Sequence, residues 1–214
     1  MSKAYVINLD KSTDRWEKLQ KTWNDVFELE RISAVEASPG WIGCYLSHAK
    51  AVEEAKARGD PHVLVWEDDC IPKNGRNPAV VKGLWDEILP NLIKHTNKWD
   101  VIIGGSTAIY DEEPTLDRDL STNNVKVFRL PRGSTTHWTF YNASIYDKII
   151  DWKNGPRLRC IDEYMYDCAR VFITAPFMAT QDECYSIIQK HVTNYSANFD
   201  KIEKRLSEYC NHST

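Results

Sequence analysis

Residues 63–66, Val-Leu-Val-Trp, are apolar without a break, and Glu67-Asp68-Asp69 follow at once. A strand that is apolar at every position is buried on both faces, as in a parallel sheet covered by helices. AYVINL at 4–9 and DVIIGG at 100–105 carry the same signature. Strands of this kind alternating with helical periodicity predict an α/β fold, its sheet mostly parallel, with helices on both faces. Ligands of such sheets bind beyond the carboxyl ends of the strands. Asn8-Leu9-Asp10 and Glu67-Asp68-Asp69 both fall at such an end, so they are expected to face one cleft.

The intervening segments read as follows. Asp14, with Glu17 three residues on, fits the capping box of a helix that carries Trp16, Leu19 and Trp23 on one face. Residues 26–35 read as a short strand and 38–40 as a break. IGCYLSHAKAVEEAKARG reads as a helix that Gly59 ends. Pro72, Asn74 and Gly75 mark a loop before a helix near 78–89. Residues 107–124 are polar, acidic and aperiodic, which reads as a long loop. Strands are expected at 125–130, 137–141 and 171–174, helices at 144–153 and 160–170, and a charged helix from 198 onward. With 214 residues the chain suits a single domain, 1–214, in which 191–214 is a charged tail or helix.

A net charge of -4 argues against a nucleic-acid partner held by bulk charge. The amino terminus turns polar after a few residues, and no apolar run is long enough to span a bilayer, so neither a leader nor an integral membrane segment is expected. The six cysteines show no Cys-x-x-Cys pair. They read as reduced thiols, mostly buried, in a cytoplasmic protein.

The acids raise the chemical question. Three adjacent carboxylates relieve their repulsion by taking up protons or a cation. Magnesium and manganese prefer oxygen ligands and keep substrate phosphates in their shell. Glu67 and Asp69, an acid-x-acid pair, leave such a shell incomplete, and a nucleotide diphosphate would complete it. An acidic surface turn is the competing reading of the same three residues.

Several blocks of the chain resemble the family-25 glycosyltransferases, which include lipooligosaccharide and procollagen galactosyltransferases. YVINLDKSTDRWEKL is similar to the family's V-I-N-L strand with a later Arg, IGCYLSHAKAVEEA to its G-x-I-G-C-x-L-S-H element, and VLVWEDDC to its L-E-D-D. HWTFYNASIYDKIIDW, CIDEYM and TAPFMATQDECYSII resemble later elements more weakly. Trp41 stands where an acid is common in the family, Trp66 replaces an aliphatic residue, and 106–135 matches nothing. That unmatched stretch is where acceptor recognition is expected.

The resemblance implies a GT-A-like nucleotide-binding sheet and an inverting, metal-dependent transfer of a hexose from a UDP-sugar to a glycan or other hydroxylated acceptor. It implies Mn2+ or Mg2+ as cofactor, with Asp69 as a ligand and Glu67 reaching the metal through water or contacting the donor ribose. Asp68 is either structural or bonded to the donor sugar. Asn8, Leu9 and Asp10 would border the nucleobase, and Arg15 would lie near the phosphates or pair with the acids. Ser47 and His48 fall in the matched S-H element on the donor side. His191 is a candidate late metal ligand. Asp162 matches the family's acid in the later element and would be the base that deprotonates the acceptor, with Glu163 the fallback. Trp138 and Tyr110 are candidate platforms for a sugar ring. Two other readings remain: a nucleotidyltransferase, for which no Gly-rich phosphate loop is seen, and a non-catalytic nucleotide-sugar- or glycan-binding domain.

Overall fold

The computed structural model describes residues 2–151, 159–186 and 191–212. In chain order the first half contains β1 (Lys3–Asn8), α1 (Thr13–Trp23), β2 (Glu28–Ser33), α2 (Gly40–Arg58), β3 (His62–Glu67), β4 (Cys70–Pro72) and α3 (Pro78–Lys94). The second half contains β5 (Val101–Ile103), β6 (Thr115–Asp117), β7 (Lys126–Arg129), β8 (Trp138–Asn142), α4 (Tyr146–Asp151) and α5 (Ile161–Cys168). It ends with β9 (Val171–Ala175), β10 (Ala179–Gln181), β11 (Cys184–Ser186), β12 (His191–Thr193) and α6 (Ser196–His212).

Eight strands form one sheet in the order β2-β1-β3-β8-β5-β9-β7-β6. Following the pairings across it, six strands point the same way, and only β8 and β7 are reversed. The apolar strands cover both faces by alternation. Tyr5, Ile7, Val63, Val65, Val101 and Ile103 pack with α2, α4, α5 and α6. Ala4, Val6, Leu64, Trp66 and Ile102 pack with α1 and α3. The all-apolar strands β1, β3 and β5 thus fit a sheet with helices on both sides.

Gly59 closes α2 in the left-handed conformation, φ 75°, as its position in the sequence predicts. The tail helix is anchored by Phe199, Ile202 and Leu206, all buried in the core. Three details depart from expectation. Ser12 rather than Asp14 stands at the N-cap of α1, and Asp14 lies inside its first turn. The stretch 107–124 is not all loop, because β6 pairs with β7 at the sheet edge. The short strands β4, β10, β11 and β12 are additions to the sequence reading, forming two small antiparallel pairs. Positions 152 and 153 of the expected 144–153 helix lie outside the described residues.

Candidate active site

β1 and β3 are parallel neighbours, so Asn8 and Glu67 end at the same edge of the sheet. There the acids are held in different ways. Asp68 accepts from Asn8 Nδ2 at 2.7 Å and pairs with Arg15 at 3.0 Å. Asp69 accepts from Gln181 Nε2 at 3.3 Å through Oδ2, which lies 3.8 Å from Arg15, while its Oδ1 is buried with no hydrogen-bond partner. Glu67 accepts from the Thr136 hydroxyl at 2.6 Å, and His48 Nε2 lies 3.7 Å from the same oxygen.

Two clefts meet at these acids. One is bounded by the β1 and β2 ends and the start of α2, and includes Leu9, Arg15, Gly43, Ser47, His48 and Asp68. The other is bounded by Trp41, Thr107, Tyr110, Ser134, Thr135, Asp162 and Tyr195. Cys44, Glu67, Asp69 and Gln181 line both. The clefts hold about 950 and 1230 Å³ of empty space, open to solvent. A substrate bridging them would place its reacting bond against Glu67 and Asp69.

The electrostatics follow from burial and crowding. Burial, then repulsion from Glu67, pushes the Asp69 carboxyl up to about 8, against the opposing pull of Arg15. Burial also raises Asp68, with Arg15 and Asn8 working against it. For Glu67 burial acts in the same direction, but His48 and the Thr136 hydroxyl overcome it and the net shift is downward. Burial raises Asp162 as well, opposed by backbone N–H groups of Glu163 and Thr135. The cluster thus carries a protonated carboxyl and a charged one side by side. That arrangement fits a cation that could replace the proton.

The sequence-predicted residues are mostly brought together. Leu9, Arg15, Ser47, His48, Glu67, Asp68 and Asp69 line the first cleft and Asp162 the second. Asn8 stands behind the wall, 1% exposed, tying Asp68 to Arg31 and to the Ser12 carbonyl. Asp10 is turned to Arg31 and Ser33. The Ser47 hydroxyl is engaged by backbone, accepting from Val35 N and donating to the Gly43 carbonyl. Glu163 is exposed on α5 and His191 is exposed on β12; neither is among the lining residues. Trp138 is not a sugar platform: it is 1% exposed, packed against Trp23, Trp66 and Trp85. Tyr110 is half exposed and does line the second cleft.

Gln181, Thr136 and Cys44 were not nominated from the sequence. Gln181 sits in the segment TAPFMATQDECYSII, so a signal for it existed. For Thr136 there was none, because it falls between the unmatched stretch and the next block and its place depends on the turn at Thr135.

No family model matches this chain. Over 76 residues, 36% of its length, it is 33% identical to the Homo sapiens protein named inactive glycosyltransferase 25 family member 3. The match spans 12% of that protein's length. Among solved structures, a glycosyltransferase involved in glycosylation of the major capsid of PBCV-1 aligns over 94% of this chain and 98% of its own, with 10% identity and a TM-score of 0.48. A197 from STIV aligns over 90% and 93%, with 13% identity and a TM-score of 0.45. UDP-glucose pyrophosphorylase complexed with UDP-glucose aligns over 96% and 99%, with 9% identity and a TM-score of 0.43. These structural likenesses are too distant to carry function. The fold class is the one expected from sequence, an α/β sheet, mostly parallel and flanked by helices on both faces. No helix among the described residues is long and apolar enough to cross a membrane.

Proposed function

We propose that this chain is a glycosyltransferase that moves a hexose from a UDP-sugar to a glycan or other hydroxylated acceptor with inversion. The observation that carries the reading is the position of Glu67 and Asp69 where the two clefts meet, with a buried, unpartnered oxygen on Asp69. Such an orphan is costly unless a ligand completes it. The donor set is all oxygen, which suits Mn2+ or Mg2+. Asp69, supported by Glu67, would hold the ion, which when bound supplies positive charge to the departing diphosphate.

The chain's own residues take the other parts. The first cleft receives the nucleotide, with Arg15 already aimed at the acids and able to share the phosphate charge. The second cleft receives the acceptor and is walled by residues 107–110 and 134–136, within or beside the stretch that matches no family block. Asp162 lies in that wall, and burial raises its proton affinity toward what a base for a hydroxyl requires. It would take the acceptor proton as the oxygen attacks the sugar carbon. Glu163 and His191 are left out of this assignment, since neither lines a cleft.

A second reading keeps donor binding and drops turnover, because the similar human protein carries the word inactive in its name. One experiment separates the readings: thermal unfolding with a panel of nucleotide-sugars, with and without Mn2+, followed by assay of UDP release. Saturation at about 100 times the dissociation constant adds roughly 2.7 kcal/mol. A metal-dependent shift with a UDP-sugar, followed by UDP release that Asp162→Asn lowers at unchanged donor affinity, is the expected result. A shift without release by any acceptor selects the binding domain. Pyrophosphate release from a nucleoside triphosphate would select a nucleotidyltransferase, and no shift with any donor refutes the proposal.

A further inference from the structure

The first cleft contains a second group of donors, of which the sugar-transfer reading uses only Glu67. Cys44 and His48 are one helical turn apart on α2, so they share a face of that helix. Glu67, the last residue of β3, lies opposite. One ligand atom from each of these three side chains lies within 4.8 Å of the other two. His48 is 0% exposed, and its Nε2 has no hydrogen-bond partner. At 3.7 Å from Glu67 it is beyond hydrogen-bond distance, and the two form an ion pair only when the ring is protonated. A buried ring nitrogen left in this way costs stability unless something occupies the position it faces.

We propose that Cys44, His48 and Glu67 bind one soft divalent cation, zinc(II) by the chemistry of the set. Thiolate, imidazole and carboxylate together select zinc over magnesium or manganese. The ligands are oriented from behind, as metal ligands commonly are. Tyr141, fully buried, bonds His48 Nδ1 at 2.9 Å. In the tautomer whose Nδ1–H donates to the tyrosine oxygen, Nε2 presents its lone pair to the metal. Thr136 fixes the Glu67 carboxylate. On binding, the sulfur–metal bond forms as the Cys44 thiol gives its proton to solvent. Three protein ligands leave a fourth position, and Cys44 and Glu67 both line the open clefts. An open position is the pattern of zinc sites that take substrate or water, not of closed structural ones. The zinc assignment does not rest on sugar transfer and stands if that reading fails. Its one shared residue is Glu67, so zinc would compete with any hard cation held there.

The test is cobalt(II) titration of the metal-stripped full chain, read by absorption. One equivalent is expected to produce a thiolate-to-cobalt charge-transfer band with intense visible bands of a four-coordinate ion, and zinc(II) should abolish both. Cys44→Ser should lose the charge-transfer band and Cys168→Ser should keep it. Tyr141→Phe should keep the band with roughly 10–100-fold weaker affinity. Should Cys44→Ser fail to fold, alkylation of the wild type followed by peptide mass mapping replaces it, with zinc expected to protect Cys44 selectively. No charge-transfer band at one equivalent, a band that survives in Cys44→Ser, or a Cys44 that zinc leaves unprotected overturns the proposal.

Discussion

Without a bound cation, the protein should be more stable when Asp69 is replaced by its uncharged isostere. The Asp69 carboxyl has one buried, unpartnered oxygen and two acidic neighbours in sequence. Burial, with Glu67 next, carries it from 3.8 to about 8. Between those values the folded chain keeps a proton that the unfolded chain releases. Stability therefore falls as pH rises through this interval and levels off above it. Each tenfold change in proton affinity is worth about 1.4 kcal/mol, so near pH 7 the folded state loses up to about 4 kcal/mol. Entry of water and adjustment of Gln181 and Arg15 relieve part of this, leaving about 2 kcal/mol. Asp69→Asn should gain that amount in EDTA near pH 8, or roughly 4–8 °C in Tm. Near pH 4, where Asp69 is protonated in the folded chain and about half protonated in the unfolded one, it should gain almost nothing. Urea unfolding at the two pH values measures the difference. The same variant should lose the metal-dependent donor shift, the usual opposition between stability and a built site. A variant less stable than wild type near pH 8, or a gain equal at both pH values, would refute the reasoning.

Two further perturbations test the frame around the site. Asp100, just before β5, accepts from the Arg170 backbone, from two nitrogens of its guanidinium and from Ser144 Oγ. Burial opposes its charge, but these donors outweigh burial and hold the carboxyl well below its usual range. Asp100→Asn should cost about 2 kcal/mol at neutral pH by the scale of hydrogen bonds to charged groups. Because the folded value is depressed, the deficit should shrink as pH falls below the unfolded value, and unfolding at neutral and acid pH measures it. Gly43 faces the 35–37 segment so closely that an added Cβ would lie 2.5 Å from the Val35 carbonyl oxygen and 3.1 Å from Ala37 N. Both atoms are backbone, so Gly43→Ala must part α2 from the cleft wall, at about 1–3 kcal/mol of stability by denaturant unfolding and with weaker donor binding by thermal shift. Unchanged unfolding of either variant would contradict the packing described.

The fold was legible where burial on both faces or a helical stripe dominates the local sequence. β1, β3 and β5, the Gly59 stop and the apolar contacts of α6 all announce themselves within a few residues. The three-residue strands do not. Cys70-Ile71-Pro72 has neither alternation nor length, and it is a strand because Ala179–Gln181 lies beside it. β6 likewise sits in an acidic stretch and exists through its pairing with β7. The acids, Leu9, Arg15 and His48 were legible because each is local to a strand end or a matched block. Gln181 reaches Asp69 only because β10 pairs with β4 in a register that sets Gln181 opposite Cys70. Thr136 reaches Glu67 from a turn in which Thr135 holds φ 75°, a conformation rare for a β-branched residue and invisible in composition.

Trp138, read as a possible sugar platform, belongs instead to an aromatic layer that serves the site from behind. Trp66 immediately precedes Glu67 and packs against Trp138 at 4.5 Å and Trp23 at 5.0 Å between ring centroids. The Trp23 indole donates to the Cys70 carbonyl at 3.0 Å, just past Asp69. The turn that carries the three acids is thus fixed at both ends by a rigid aromatic layer with almost no solvent exposure. Repulsion among Glu67, Asp68 and Asp69 would otherwise spread that turn and let water in. Held in place, the carboxyls can lower their energy only through protons, the donors already set beside them (Asn8, Arg15, Thr136 and Gln181) and whatever binds in front of them. The all-apolar strand and the like charges at its end therefore belong to one device: the packing that makes the strand immovable is what keeps the charges close enough to need a ligand.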